Sequence, residues 1–213
     1  MSEAQQSPLR LGILLSGRGS NFVAIAESIR SGRLKGVEIA VVISNVADAP
    51  GLKAAEAMGI AHAALVSKGR KREEHDQSMV ACLKEHKVEL VCLAGYMRLL
   101  TSGFVAAFQN RILNIHPSLL PAFPGLDAQE QAFAYGVKVA GCTVHFVDNE
   151  LDHGVIVSQH VVPVLEGDDG HSLAERILKE EHVAYSEGIG MVASGEYEIS
   201  GRQFVKRLKP SSN

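Results

Sequence analysis

Apolar residues cluster along the chain in short continuous runs, and helical patterns alternate with them. "LRLGILL" (9–15), "VEIAVVIS" (37–44), "HAALV" (62–66) and "VELVCLAG" (88–95) are rich in Val, Ile and Leu. Runs of that length and composition suit parallel strands covered on both faces. Between them, residues 21–30, 51–58 and 72–86 carry helical patterns. A βαβαβα alternation predicts an open, mostly parallel sheet with right-handed crossovers.

The second half changes character. "RILNI" (111–115) is a fifth strand, followed by a loop containing Pro117, Pro121 and Pro124 and a short helix over 127–135. "GCTVHFV" (141–147) and "VIVSQHVVPV" (155–164) are separated by only seven residues, 148–154. So short a link predicts an antiparallel pair. A helix is expected over 172–187, with Ser172 as N-cap and Glu175 closing a capping box. The tail "EYEISGRQFVKRL" predicts a closing hairpin. The expectation is therefore one α/β domain over 1–213: an open, mostly parallel, Rossmann-like sheet with an antiparallel C-terminal edge and helices on both faces. Within it fall a polar tail (1–8), a parallel half (9–100), a second half (101–187) and a C-terminal extension (188–213).

Composition narrows the class. The chain is 46% apolar, 21% charged and carries a formal net charge of −3. That is enough for one sizeable core, and it offers no basic footprint for nucleic acid. No apolar run is long enough to span a bilayer. Three cysteines, Cys82, Cys92 and Cys142, fit neither a disulfide framework nor a CxxC metal site. With a polar start lacking an apolar signal segment, they predict a reducing, cytoplasmic location.

Two stretches carry candidate chemistry. "SGRGSN" (16–21) follows the first strand and opens the first helix. Glycines there let backbone N–H groups approach an anion, and the helix dipole adds to them. The dinucleotide fingerprint is incomplete, since position 22 is Phe22 and the second strand ends in Ser44 and Asn45 rather than an acidic residue. A phosphate or phosphoribosyl site and a plain capped βα turn both fit.

The other stretch is "RILNIHPSLLPAFPG" (111–125). Alternation along a strand puts Asn114 and His116 on one face. They stand at the carboxyl end of a strand, where open α/β sheets bind ligands. An amide donor beside an imidazole suits a tetrahedral oxyanion and its protons; a strand-end cap is the plainer alternative. The acidic link "DNELDHG" (148–154) could bring a carboxylate to His116 and favour the imidazolium, if it folds over the same crevice.

Taken together, "SGRGSN", "LAGYMRLL", "NIHPSLLPAFPG" and "VHFVDNELDHG" resemble the folate-dependent formyltransferases, in the same order and at similar spacings from about Leu11 to Tyr185. The resemblance implies transfer of the formyl group of 10-formyltetrahydrofolate to the amine of glycinamide ribonucleotide in purine synthesis. It implies catalytic roles for Asn114, His116 and Asp152, the last holding His116 and a water. Gly19, Ser20, Asn21 and Glu181 would hold the glycinamide nucleotide. Arg72, Met97, Arg98, Leu99, Leu100 and Asn114 would bind the folate. Small-molecule substrates, no metal, no nucleic acid, no membrane, and a monomer or homodimer follow from the same likeness. The chain departs from the pattern at His153, where relatives often carry glycine, and at Asp127, Ala128 and Gln129, where some carry histidines.

Rival readings keep the same Asn–His–Asp set. A formyl-folate hydrolase usually carries an extra N-terminal regulatory domain, and here eight residues precede the first strand. Methionyl-tRNA formyltransferase usually adds a C-terminal domain and a basic surface. A non-catalytic nucleotide-binding module would keep Gly19 to Asn21 without turnover.

Overall fold

The computed structural model describes residues 7–207. The parallel part of the sheet consists of β1 (Leu9–Leu15), β2 (Val37–Ser44), β3 (His62–Ala64), β4 (Leu90–Leu93) and β5 (Ile112–His116). The remaining strands are β6 (Val139–Phe146), β7 (Ile156–Pro163), β8 (Tyr197–Ser200) and β9 (Gln203–Lys206). Among the described residues six helices connect them: α1 (Ser20–Arg30), α2 (Pro50–Ala57), α3 (Arg72–Glu85), α4 (Ser102–Ala107), α5 (Ala128–Tyr135) and α6 (Gly170–Ala193). All nine strands form one sheet in the order β3-β2-β1-β4-β5-β6-β7-β9-β8. Pairing is parallel from β3 through β5 and antiparallel between β5 and β6 and between β6 and β7.

Two apolar layers explain the sequence pattern. On one face, Leu11, Ile13, Leu113, Ile115 and Val144 pack with Phe22 and Ile25 of α1 and with Leu173, Ile177, Tyr185 and Ile189 of α6. On the other, Leu14, Val41, Ile43, Val91 and Ile112 meet Met79 and Leu83 of α3 and Phe104 and Val105 around α4. Strands buried on both faces need no polar alternation, so they read as unbroken apolar runs. Asn114 and His116 interrupt that rule. They alternate with Leu113 and Ile115, and so face the α3–α4 side of the sheet.

Three expectations are corrected. Helix α6 starts earlier than Ser172: Asp169 is its N-cap, and Ser172 occupies the third helical position. The Asp169 carboxylate accepts from the Ser172 N–H at 2.7 Å, and the Ser172 hydroxyl accepts from the Asp169 N–H at 3.0 Å. A cap of this kind contributes about 1 kcal/mol, and Glu175 has no part in it. The same helix runs past Glu187, its expected end, to Ala193. The third strand stops at Ala64, and α4 has no counterpart in the sequence reading. The closing hairpin is present as β8 and β9. Most of the polar stretch 1–8 and the last six residues of the chain lie outside the described residues. Cys82, Cys92 and Cys142 are free thiols, the last two buried.

Candidate active site

The sheet changes direction of growth between β1 and β4, and the loops leaving their carboxyl ends meet there. One hydroxyl ties three of them together. Ser16 Oγ donates to Asn45 Oδ1 at 2.6 Å, beyond β2, and accepts from the Met97 N–H at 2.8 Å, beyond β4.

The first helix opens this crevice with its N-terminus bare. Gly19 is its N-cap at φ 71°, and no side chain caps it. A left-handed residue is required there, and a Cβ would lie 3.0 Å from Leu15 Cδ2 and 3.1 Å from Gly51 Cα. Glycine is the residue that fits. The first-turn N–H groups and the helix dipole make a cradle suited to an anion. Behind it, Asn21 Nδ2 donates to Glu181 Oε2 at 2.8 Å, joining α1 to α6. Both residues are buried. Burial pushes the Glu181 pKa above the ordinary carboxylate value, partly offset by the Asn21 bond. Asn21 Oδ1 is buried without a protein partner. Anion donors and buried oxygen acceptors thus share the first turn of α1, a pairing that suits a phosphorylated ligand bearing an amine or hydroxyl.

The second cluster is built on β5 and β6. Asn114 pairs with His145 in the antiparallel register, and Asn114 Nδ2 lies 3.2 Å from His145 Nε2. The His145 Nδ1–H donates to the Phe146 carbonyl at 2.8 Å. Nε2 therefore carries the lone pair and accepts from Asn114. Burial pushes the His145 pKa below the ordinary histidine value, which keeps that lone pair available. The Asn114 amide is left with a second N–H for the crevice.

His116 is held from two sides. Its Nε2 lies 2.9 Å from the Phe123 carbonyl, and its Nδ1 lies 3.4 Å from Asp152 Oδ2. The Phe123 carbonyl can only accept, so Nε2 carries the proton between them. Asp152 accepts from the Gly125 N–H at 2.8 Å through Oδ2, and its Oδ1 lies 3.7 Å from His145 Nε2. The loop 117–127 that supplies the Phe123 carbonyl is fixed by the neighbouring strands. Thr143 Oγ1 donates to the Ser118 carbonyl at 2.6 Å, and Gln159 Nε2 donates to the Leu120 carbonyl at 2.8 Å. An amide, an imidazole and a carboxylate thus converge at a strand end, the set that polarises a carbonyl and moves a proton.

Comparison with known proteins matches residues 9–189 to the sequence profile described as formyl transferase. The chain belongs to the formyl transferase family. The crystal structure of glycinamide ribonucleotide transformylase 1 from Symbiobacterium toebii is 48% identical, covers 97% of this chain and 98% of its own, and superposes with a TM-score of 0.93. Phosphoribosylglycinamide formyltransferase of Escherichia coli (strain K12) is 38% identical over 90% of both chains. Trifunctional purine biosynthetic protein adenosine-3 of Drosophila pseudoobscura pseudoobscura is 44% identical over 87% of this chain, which spans 14% of that relative's length.

Within this formyl transferase fold, the residues singled out from sequence separate into groups. Asn114, His116 and Asp152 come together, as do Asn21 and Glu181. Gly19 and Ser20 stand at the same helix start as Asn21. Met97 and Leu99 are exposed on the loop after β4, where the Arg98 Nε is buried without a partner. That loop ends at Thr101, whose N–H donates to Asp76 Oδ2 of α3 at 2.7 Å. Arg72 is the exposed first residue of α3 and forms no ion pair among the described residues; nothing in the structure joins it to His116. Sequence reading missed His145, Ser16 and the Phe123 carbonyl. His145 stood within a recognised motif, but its role depends on the register of β6 against β5.

Proposed function

We propose that this chain transfers the formyl group of 10-formyltetrahydrofolate to the amine of glycinamide ribonucleotide. The observation that carries the reading is the convergence of Asn114, His116 and Asp152, beside an anion cradle at Gly19 to Asn21. Family membership and full-length likeness to proteins named for this reaction support it. Gly19, Ser20 and Asn21 hold the phosphoribosyl part of the nucleotide with Glu181 beside them, and its amine reaches toward Asn114 and His116. Met97 to Leu100 line the folate slot. Arg72 binds the donor's distal end.

The substrate amine attacks the formyl carbon, and the carbonyl oxygen becomes an oxyanion. Asn114 donates its free N–H to that oxygen, and His116 stabilises it from the other side. His116 then gives its proton to the folate nitrogen as the carbon–nitrogen bond breaks, and recovers one from the attacking amine. Asp152 holds the ring and a water in position through these steps. Much of the acceleration comes from placing amine and formyl carbon in contact.

The test follows the absorbance of a 10-formyl-folate analogue with purified protein, with and without glycinamide ribonucleotide. Deformylation that requires the nucleotide is the expected result. Loss of the formyl group in its absence would replace transfer with hydrolysis, and no loss in either would leave a binding module.

A further inference from the structure

The link carrying Asp152 is gripped by the C-terminal hairpin. Strand β9 joins the sheet through the Ile156–Gln203 pair, at the first residue of β7. Tyr197 and Phe204 stack with ring centroids 4.6 Å apart, and each lies 6.3 Å from Phe146, the last residue of β6. The hairpin therefore touches both ends of the link 147–155. Its turn reaches the middle: Arg202 Nη1 lies 2.8 Å from His153 Nε2, and Arg202 Nη2 donates to the His153 carbonyl. The same Nη1 lies 3.3 Å from His153 Nδ1, so the guanidinium sits against the ring rather than in line with one nitrogen, and that Nδ1 lies 3.0 Å from Asp148 Oδ2. The Glu150 carboxylate is 4.0 Å from the same nitrogen.

The His153 imidazole thus stands between a guanidinium and a carboxylate at the base of the link. Asp152, its neighbour, has φ 50°. A non-glycine residue in that region persists where its surroundings over-determine it. On the other side, a Cβ on Gly154 would lie 1.8 Å from the Phe146 carbonyl oxygen, so the chain passes there in close contact with β6. His153 is held through its ring and its carbonyl between a strained residue and a tightly packed one.

We propose that Arg202 is a positioning residue for formyl transfer. Through His153 it holds the link in the shape that brings the Asp152 carboxylate to both the Gly125 N–H and His116. The proposal rests on the function assigned above. The side chains of His153 and Asp148 are 46% and 44% exposed, so their charge interaction is weak and screened by salt. The bond to the His153 carbonyl and the docking of the hairpin are the working parts.

The experiment compares Arg202→Ala, Arg202→Lys and His153→Gly in the full chain, by steady-state transfer and by hydrogen exchange of the amides of 148–155. For R202A, kcat is expected to fall about tenfold while KM for the nucleotide stays within about twofold, the signature of a misplaced catalytic group. R202K keeps a donor for the carbonyl and recovers most of the loss. H153G keeps the carbonyl bond without the ring bridge and falls between. Exchange in the link quickens in the same order. Wild-type kcat and exchange in R202A would overturn the proposal, and so would a loss that Lys does not recover. If R202A does not fold, H153G decides by the same readouts, with unchanged kcat and exchange counting against the brace. If the wild type transfers no formyl group, the function assigned above fails, while the exchange series still tests the brace.

Discussion

Asn114 and His145 face each other across the β5–β6 ladder, and the imidazole accepts the hydrogen bond that orients the amide. The arrangement works only while His145 is neutral. Its pKa is lowered by burial, so the folded state takes up this proton less readily than the unfolded chain. The stability this contributes is present above the ordinary value of 6.5 and is lost as pH falls from there through the lowered value. Thermal melts between pH 7.5 and 5 are expected to show a declining midpoint, with a shallower decline in His145→Gln. An identical slope in the variant would remove His145 from the account.

Asp152→Asn keeps an oxygen for the Gly125 N–H and removes the charge facing His116. Turnover is expected to fall by about 10²-fold, the lower end of what general acid–base groups supply, with little change in melting temperature. Steady-state rates and a calorimetric scan check the two halves separately. Full activity across neutral pH would end the role assigned to Asp152.

Glu181 opposes folding while it is ionised, because burial raises its pKa. A raised carboxylate pKa means stability increases as pH falls below the folded value. Glu181→Gln keeps an acceptor for Asn21 without the buried charge. It is expected to melt at a higher temperature than wild type and to bind the nucleotide more weakly, the trade seen where a site stores instability. Calorimetry and the nucleotide KM measure the pair. A variant both less stable and equally tight in binding would contradict the assignment.

Gly19→Ala puts a side chain at φ 71° with a carbon 3.1 Å from Gly51 Cα. A cost of about 1–3 kcal/mol is expected from the strained backbone. The cradle should distort with it, raising KM for the nucleotide more than KM for the folate. Chemical denaturation and the two KM values test this. Equal changes in both would mean that the cradle does not hold the nucleotide.

Much of this fold could be read from the chain because its strands are buried on both faces. β1 and β2 span the residues that the apolar runs marked. Where a boundary depended on competing polar residues, the reading slipped. Asp169 and Ser172 are both good caps, and the bond from the Leu173 N–H to the Asp169 carbonyl at 3.1 Å decides between them. Helix α4 is six residues long and starts with Ser102 and Gly103; the Thr101 hydroxyl, accepting from the Phe104 N–H, and the Thr101 N–H, donating to Asp76, hold it. In the site, alternation placed Asn114 and His116 on one face. No local pattern could show that the 148–154 link folds back over them, or that His145 and Arg202 lie beside its residues. Those facts depend on strand register and on a hairpin some fifty residues away, as measured from His153 to Arg202.

Glu181 and Tyr185 lie one turn apart on α6. The first bonds Asn21 at the start of α1; the second is fully buried and places its hydroxyl 3.0 Å from the carbonyls of both Leu93 and Leu113. One stretch of helix is therefore geared to the start of α1 and to the strand that carries Asn114. A single residue inserted between them would rotate one against the other by about 100°, withdrawing either the carboxylate or the phenol. Length variation can be absorbed by exposed turns such as Gly201, but this turn of α6 has a fixed phase.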